Sequence, residues 1–72
     1  IYPNPTQGLV LIDMNDNDTY NLELHDIAGR FILSKAFQSR EFVDLQMLSD
    51  GIYFLRLKRD TNFIGTRKIL KY

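Results

Sequence analysis

The stretch Gly51-Ile52-Tyr53-Phe54-Leu55-Arg56-Leu57-Lys58 decides the fold. A glycine frees the backbone ahead of a run rich in aromatic and aliphatic side chains, the composition that suits a pleated, half-buried strand. At a period of two, Tyr53, Leu55 and Leu57 share one face, while Ile52 and Phe54 on the other give way to Arg56 and Lys58. One face is therefore core throughout, and the other becomes wet halfway along. The run is read as the central strand of a small sheet.

Working outward, Arg59-Asp60-Thr61-Asn62 is a hairpin turn, with Asn62 able to take positive φ, and Phe63 to Leu70 returns as the last strand. On the other side, Glu41 to Leu45 is a short strand with Val43 and Leu45 inward and Phe42 and Asp44 outward, and Leu48 anchors the loop that follows. Gln38-Ser39-Arg40 turns. Thr19 to His25 alternates most cleanly, with Tyr20, Leu22 and Leu24 inward and Asn21, Glu23 and His25 outward. Asp26-Ile27-Ala28-Gly29 reads as a type I turn closed by a left-handed glycine, which joins that strand to Arg30–Phe37 as a tight hairpin.

Leu9 to Met14 is the first strand, carrying Val10, Ile12 and Met14 on one side and Leu9, Leu11 and Asp13 on the other. Before it, Ile1-Tyr2-Pro3-Asn4-Pro5-Thr6-Gln7-Gly8 cannot be helical, because two prolines fix φ and remove backbone donors, and Gly8 lets the segment turn into the strand. Strands recurring about every 8–12 residues, with no 3.6-residue period, predict a small antiparallel immunoglobulin-like β-sandwich of about six to seven short strands. A single domain over residues 1–72 is expected, its strands pairing mainly with sequence neighbours through hairpins. Ile52 and Phe54, together with Leu9 and Leu11, form an apolar group on the nominally outer face, either a second core layer or a docking surface.

A chain of 72 residues with 44% hydrophobic content has material for one core. A deep catalytic pocket would compete for the same side chains. Nine basic residues balance nine acidic ones, so the dense basic surface that a nucleic-acid partner needs is missing. Without cysteine there is no disulfide framework, thiolate nucleophile or cysteine zinc site. No apolar run approaches the roughly 20 residues of a transmembrane helix. Because the chain opens on Ile1 and not on Met, it is expected to be excised from a longer protein.

Few residues carry chemistry. His25 is the only histidine and has Glu23 as its same-face neighbour, without the spaced partners of a metal or catalytic site, so a solvated strand histidine is expected. Asp13-Met14-Asn15-Asp16-Asn17 opens like a calcium loop, but Asp18 stands where the turn wants glycine and Leu24 where a bidentate glutamate belongs. A polar loop is the better reading, with a weakly held cation left open. Asn17-Asp18-Thr19 also fits the glycosylation sequon, a short motif that arises often by chance. Ser34, Ser39 and Ser49 lack a nucleophile-elbow context, and no glycine-rich loop cradles phosphate. No enzyme activity and no cofactor are expected. The basic end, Thr66 to Tyr72, reads either as an edge strand guarded against aggregation or as a recognition element.

Together, several fragments resemble the type A C-terminal sorting domain of the type IX secretion system. Tyr2-Pro3-Asn4-Pro5 followed by Gly8 is similar to that family's opening motif, and Leu24 to Arg30, with Asp26 and Gly29, to its strand-turn-strand. Leu45, Leu48, Gly51 and Tyr53 resemble its central motif, and Lys68-Ile69-Leu70-Lys71 its terminal basic motif. Asp50, where the family often has a small residue or proline, and His25, where tyrosine is frequent, depart from the pattern.

The resemblance implies a non-catalytic address label for a cargo domain upstream in the same chain. Cargo would cross the periplasm, be recognised by the outer-membrane translocon, and reach the cell surface or medium, commonly after removal of the label by a sortase-like signal peptidase. On that reading Lys68, Ile69, Leu70 and Lys71 make the direct contact, by adding a strand to a receptor edge, and the other motif residues hold the architecture. The alternative is a passive adhesion or carbohydrate-binding module, for which Phe42, Phe54 and Phe63 are the candidate platform rings.

Overall fold

A computed structural model describes residues 7–72, which form six strands: β1 (Leu9–Asp13), β2 (Thr19–Asp26), β3 (Phe31–Gln38), β4 (Arg40–Asp44), β5 (Gly51–Arg59) and β6 (Asn62–Lys71). All pairings are antiparallel. β1 and β4 make a two-stranded sheet, and the order β3-β2-β5-β6 makes a four-stranded one. The expected strand boundaries hold to within a residue or so.

The inward faces also follow the alternation. Tyr20, Leu22 and Leu24 of β2 and Tyr53, Leu55 and Leu57 of β5 are buried in one core with Val10, Ile12 and Val43 of the second sheet and Leu45 just past β4. Each such fully buried aliphatic side chain contributes roughly 1.5–3 kcal/mol, so the two inner faces hold the sandwich together. Tyr20 reaches this depth because its ring stacks on Phe37 at 5.6 Å while its hydroxyl finds partners at the rim.

The connectivity differs from a chain of hairpins. Only β2–β3 and β5–β6 are hairpins; β1 pairs with β4, and β2 also pairs with β5. A purely sequential ladder would leave one apolar face of a single sheet uncovered. Crossing from β3 to β4 through Ser39 carries the chain into the other sheet instead. Ser39 takes φ +67°, its N–H donating to the Asp18 carbonyl and its own carbonyl accepting from Met14 N–H at 2.8 Å. Lys35 of β3 and Glu41 of β4 pair at 3.2 Å on this closed side.

The turn between β5 and β6 does not use the left-handed freedom of Asn62. Positive φ falls on Asp60, at +55°, and Asn62 begins β6. Aspartate tolerates the left-handed region for the same reason as asparagine, a short polar side chain able to bond locally. The Asp26–Gly29 turn is as expected, with Gly29 at φ +83° and its N–H donating to the Asp26 carbonyl.

The proposed apolar group on one outer face does not exist as such. Ile52 and Phe54 are half-buried on the outer face of the large sheet, whereas Leu9 and Leu11 alternate with the buried Val10 and Ile12 and face away from the small sheet. The sandwich puts these two pairs on opposite sides of the molecule.

Candidate functional site

The terminal basic motif divides in two. Along β6, Ile69 opposes Tyr53 and Lys71 opposes Gly51, so both lie on the inner face; Ile69 is fully buried and Lys71 is 7% exposed. Lys71 runs its aliphatic stem over the core and brings Nζ to the rim, where it donates to Asp50 Oδ1 at 3.0 Å. Lys68 and Leu70 alternate to the outer face and are exposed. Of the four candidate contact residues, two are thus buried on the inner face and two are exposed on the outer one. Asp50, a departure from the family pattern, is the partner of the buried lysine. Only the register reveals this, since no local signal links residue 50 to residue 71.

The other motif residues support this arrangement. Gly51 opens β5 opposite Lys71, and Tyr53 packs in the core while its hydroxyl donates to the Ser49 carbonyl at 2.6 Å, tying the loop before β5 to the strand. Leu48 packs against the core, and its N–H donates to the Leu45 carbonyl at 2.9 Å, so it anchors that loop as expected. At Gly8, φ is +155° and an added Cβ would stand 2.5 Å from Gln46 Cγ and 3.2 Å from its Cα, while the glycine carbonyl accepts from Leu45 N–H. Glycine is required there for close approach to the β4–β5 loop. Tyr2, Pro3, Asn4 and Pro5 lie outside the described residues.

Asp26 organises the β2–β3 turn. Its Oδ1 accepts from the N–H groups of Ala28 and Arg30 and its Oδ2 from Arg30 Nε at 2.9 Å. These bonds, led by the Arg30 backbone N–H, hold its carboxyl below the usual carboxylate range. His25 is more engaged than a solvated strand histidine. Its Nε2 lies 3.2 Å from Glu23 Oε1 and its Nδ1 3.3 Å from the Gly29 carbonyl, with Phe31 edge-on at 5.9 Å. Glu23 also accepts from Lys58 Nζ at 3.2 Å, and these two partners, His25 first, lower its pKa.

The loop that opens like a calcium site spends its oxygens internally. Asp13 Oδ1 accepts from Asn15 N–H, Asp16 Oδ1 accepts from Asp18 N–H, and Asp16 Oδ2 accepts from the Tyr20 hydroxyl. The Tyr20 bond lowers the Asp16 pKa and raises that of Tyr20, and Arg59 caps the group with its own pKa raised by Tyr20. Of the candidate platform rings, Phe42 lies on the outer face of the small sheet and Phe54 on that of the large one, while the Phe63 ring sits beneath Arg56 at 5.2 Å. The three share no plane.

These features define a class first: a small antiparallel β-sandwich whose distinctive groups are exposed side chains and turn-forming carboxylates, with no cluster of three or more potential metal ligands among the described residues. The family follows from sequence comparison. Residues 1–72 match the family model described as a secretion system C-terminal sorting domain, and the chain belongs to that family. No curated protein and no solved structure matches the chain. Membership makes it a C-terminal sorting signal for type IX secretion, of a family that is generally non-catalytic, and associates it with the type IX machinery and with export to the cell surface or extracellular space. Among the described residues no helix is long and apolar enough to cross a membrane.

Proposed function

We propose that this sandwich is the part of a longer cargo protein read by the type IX translocon from the periplasmic side, and that a sortase-like signal peptidase removes it once the cargo has crossed. The observation that carries the reading is the division of the terminal motif. A label must both fold and be read, and in β6 alternate residues serve each need: Ile69 and Lys71 close the core, and Lys68 and Leu70 stand exposed beside them. Contact is through those two outer side chains, with the Gly8, Gly51 and Tyr53 region supporting their presentation.

The test fuses these residues to a signal-peptide-bearing fluorescent protein in a host with the type IX machinery, alongside an isogenic translocon mutant. Fluorescence outside the cell in the first host only is the expected result. Periplasmic retention in both hosts, with the fusion shown to be folded, refutes sufficiency. Lys68→Glu in the same fusion should abolish export while the domain stays folded, as judged by its circular dichroism and a cooperative melt.

A further inference from the structure

Among the described residues, no strand pairing joins the two sheets on the side opposite the Ser39 corner. Between β1 and β6 lies a cleft of about 250 Å³, lined by Ile12, Met14, Leu57, Ile64, Gly65 and Arg67, with Asp13 at its edge. It is smaller than the ~300–1,000 Å³ typical of small-molecule pockets, so its scale suits an inserted side chain. Two features of β6 create it. Leu57 pairs with Gly65 and Lys58 with Phe63, leaving Ile64 as the extra residue of a bulge that turns it towards the cleft. Gly65 then stands on the inner face with no side chain, and an added Cβ there would meet nothing within 4 Å.

Arg67, opposite Leu55, is the next inner-face residue of β6, and its side chain borders the cleft. The other basic residues are engaged. Arg30, Lys35, Arg40, Lys58, Arg59 and Lys71 form ion pairs, Arg56 lies over Phe63, and Lys68 has a partner as well. Arg67 makes no ion pair with a described residue. Nor does Asp13 serve it, because one carboxylate oxygen accepts from Asn15 N–H and the other from Arg40.

We propose that this cleft is a docking site for an extended peptide segment of a partner protein carrying an apolar residue and an acidic residue two positions apart. The apolar side chain would fill the space over Gly65 and the carboxylate would pair with Arg67. The spacing is set by the strand: residues two apart on one face lie roughly 6.5–7 Å from each other, on β6 and on any extended partner alike. Charge complementarity selects the acidic residue, since a carboxylate gives the guanidinium the planar, two-pronged partner it lacks. Within the sorting function this would be a second contact, on the inner seam, separate from Lys68 and Leu70, and to that extent it rests on the reading above.

The probes are blocked peptides Ser-Leu-Ser-Glu-Ser and Ser-Glu-Ser-Leu-Ser, covering both chain directions, with Ser-Leu-Ser-Lys-Ser as the charge control, titrated into the ¹⁵N-labelled 72-residue chain. An acidic peptide should shift the amide resonances of Ile12, Met14, Gly65 and Arg67 and bind at least about tenfold tighter than the control, the scale of one charge-assisted bond. Arg67→Glu should invert that preference. Gly65→Val, which folding tolerates because the space is open, should abolish both interactions. No cleft shifts at millimolar peptide, or affinity indifferent to the charge at position 67, overturns the proposal. In the export assay, normal secretion of folded Arg67→Glu and Gly65→Val fusions overturns a role for the cleft in sorting. A wild-type fusion that is not exported while the acidic peptide still binds sinks the sorting reading and leaves the cleft standing.

Discussion

At the scale of single residues, the two lysines of the terminal motif differ in burial, and on the proposed reading Lys71 serves folding and Lys68 recognition. Lys71 lays its stem on the core and ends on Asp50, so Lys71→Ala should cost about 1–2 kcal/mol in denaturant melts, chiefly through lost packing. Asp50→Asn, which removes only a rim ion pair, should cost less than about 1 kcal/mol. Lys68→Ala, at an exposed position, should cost less than Lys71→Ala, within the ~0–1 kcal/mol of a surface interaction, and a destabilisation equal to that of Lys71→Ala would refute the division. Tyr53→Phe, which strands the Ser49 carbonyl, should cost about 0.5–1.5 kcal/mol, and Tyr53→Ala about 3–5.

The carboxylates of Asp16, Glu23 and Asp26 make acid the weak direction, because all three have folded-state pKa values below their ordinary ones. A depressed folded pKa contributes stability that is complete above the unfolded value, near 4, and is lost as pH falls through the folded value. The melting temperature should therefore be flat from pH 7 to about 5 and decline below about 4. Asp26→Asn should lower it at pH 7 and narrow the gap between pH 7 and pH 3; an unchanged gap would remove Asp26 from the account.

At the scale of elements, the informative points are where strands begin and turn. Asp60 holds the β5–β6 turn at φ +55°, so Asp60→Gly should be neutral or stabilising and Asp60→Val should cost about 1–2 kcal/mol. If the strained position were Asn62, the same pair of changes at residue 62 would show that pattern instead. Gly8→Ala forces a Cβ against Gln46 and should destabilise by about 1 kcal/mol or more, measurable as a lower denaturant midpoint. That glycine joins the entry to β1 with the loop leading into β5, so the effect should extend to hydrogen-exchange protection of Leu45, whose N–H its carbonyl accepts.

At the scale of the molecule, the last strand cannot be removed as a mere tag. Ile69 is fully buried in the common core, and truncation before it removes a large side chain from a domain whose total stability is of order 4–11 kcal/mol. A chain ending at Lys68 should lose its near-ultraviolet circular dichroism, so loss of export on truncation would report unfolding as much as recognition. Point changes at Lys68 and Leu70 are the discriminating ones.

Much of this protein was determined by the sequence alone. Alternation at a period of two assigned the inner faces of β2, β4 and β5, because a one-residue slip would expose every core side chain at once. The Asp26–Gly29 turn was legible because only glycine closes it without strain, and the family could be read from motif order along the chain. Which strands pair across the sandwich was settled only by tertiary structure. Hydrophobic pattern tells a strand which face to bury and nothing about which neighbour will cover it, so β1 on β4 and β2 on β5 emerged from covering both faces of one core. For the same reason the fates of Lys68 and Lys71, identical in composition, were decided by register: one side chain points to solvent, and the other lies across the core towards an aspartate that sequence distance had hidden.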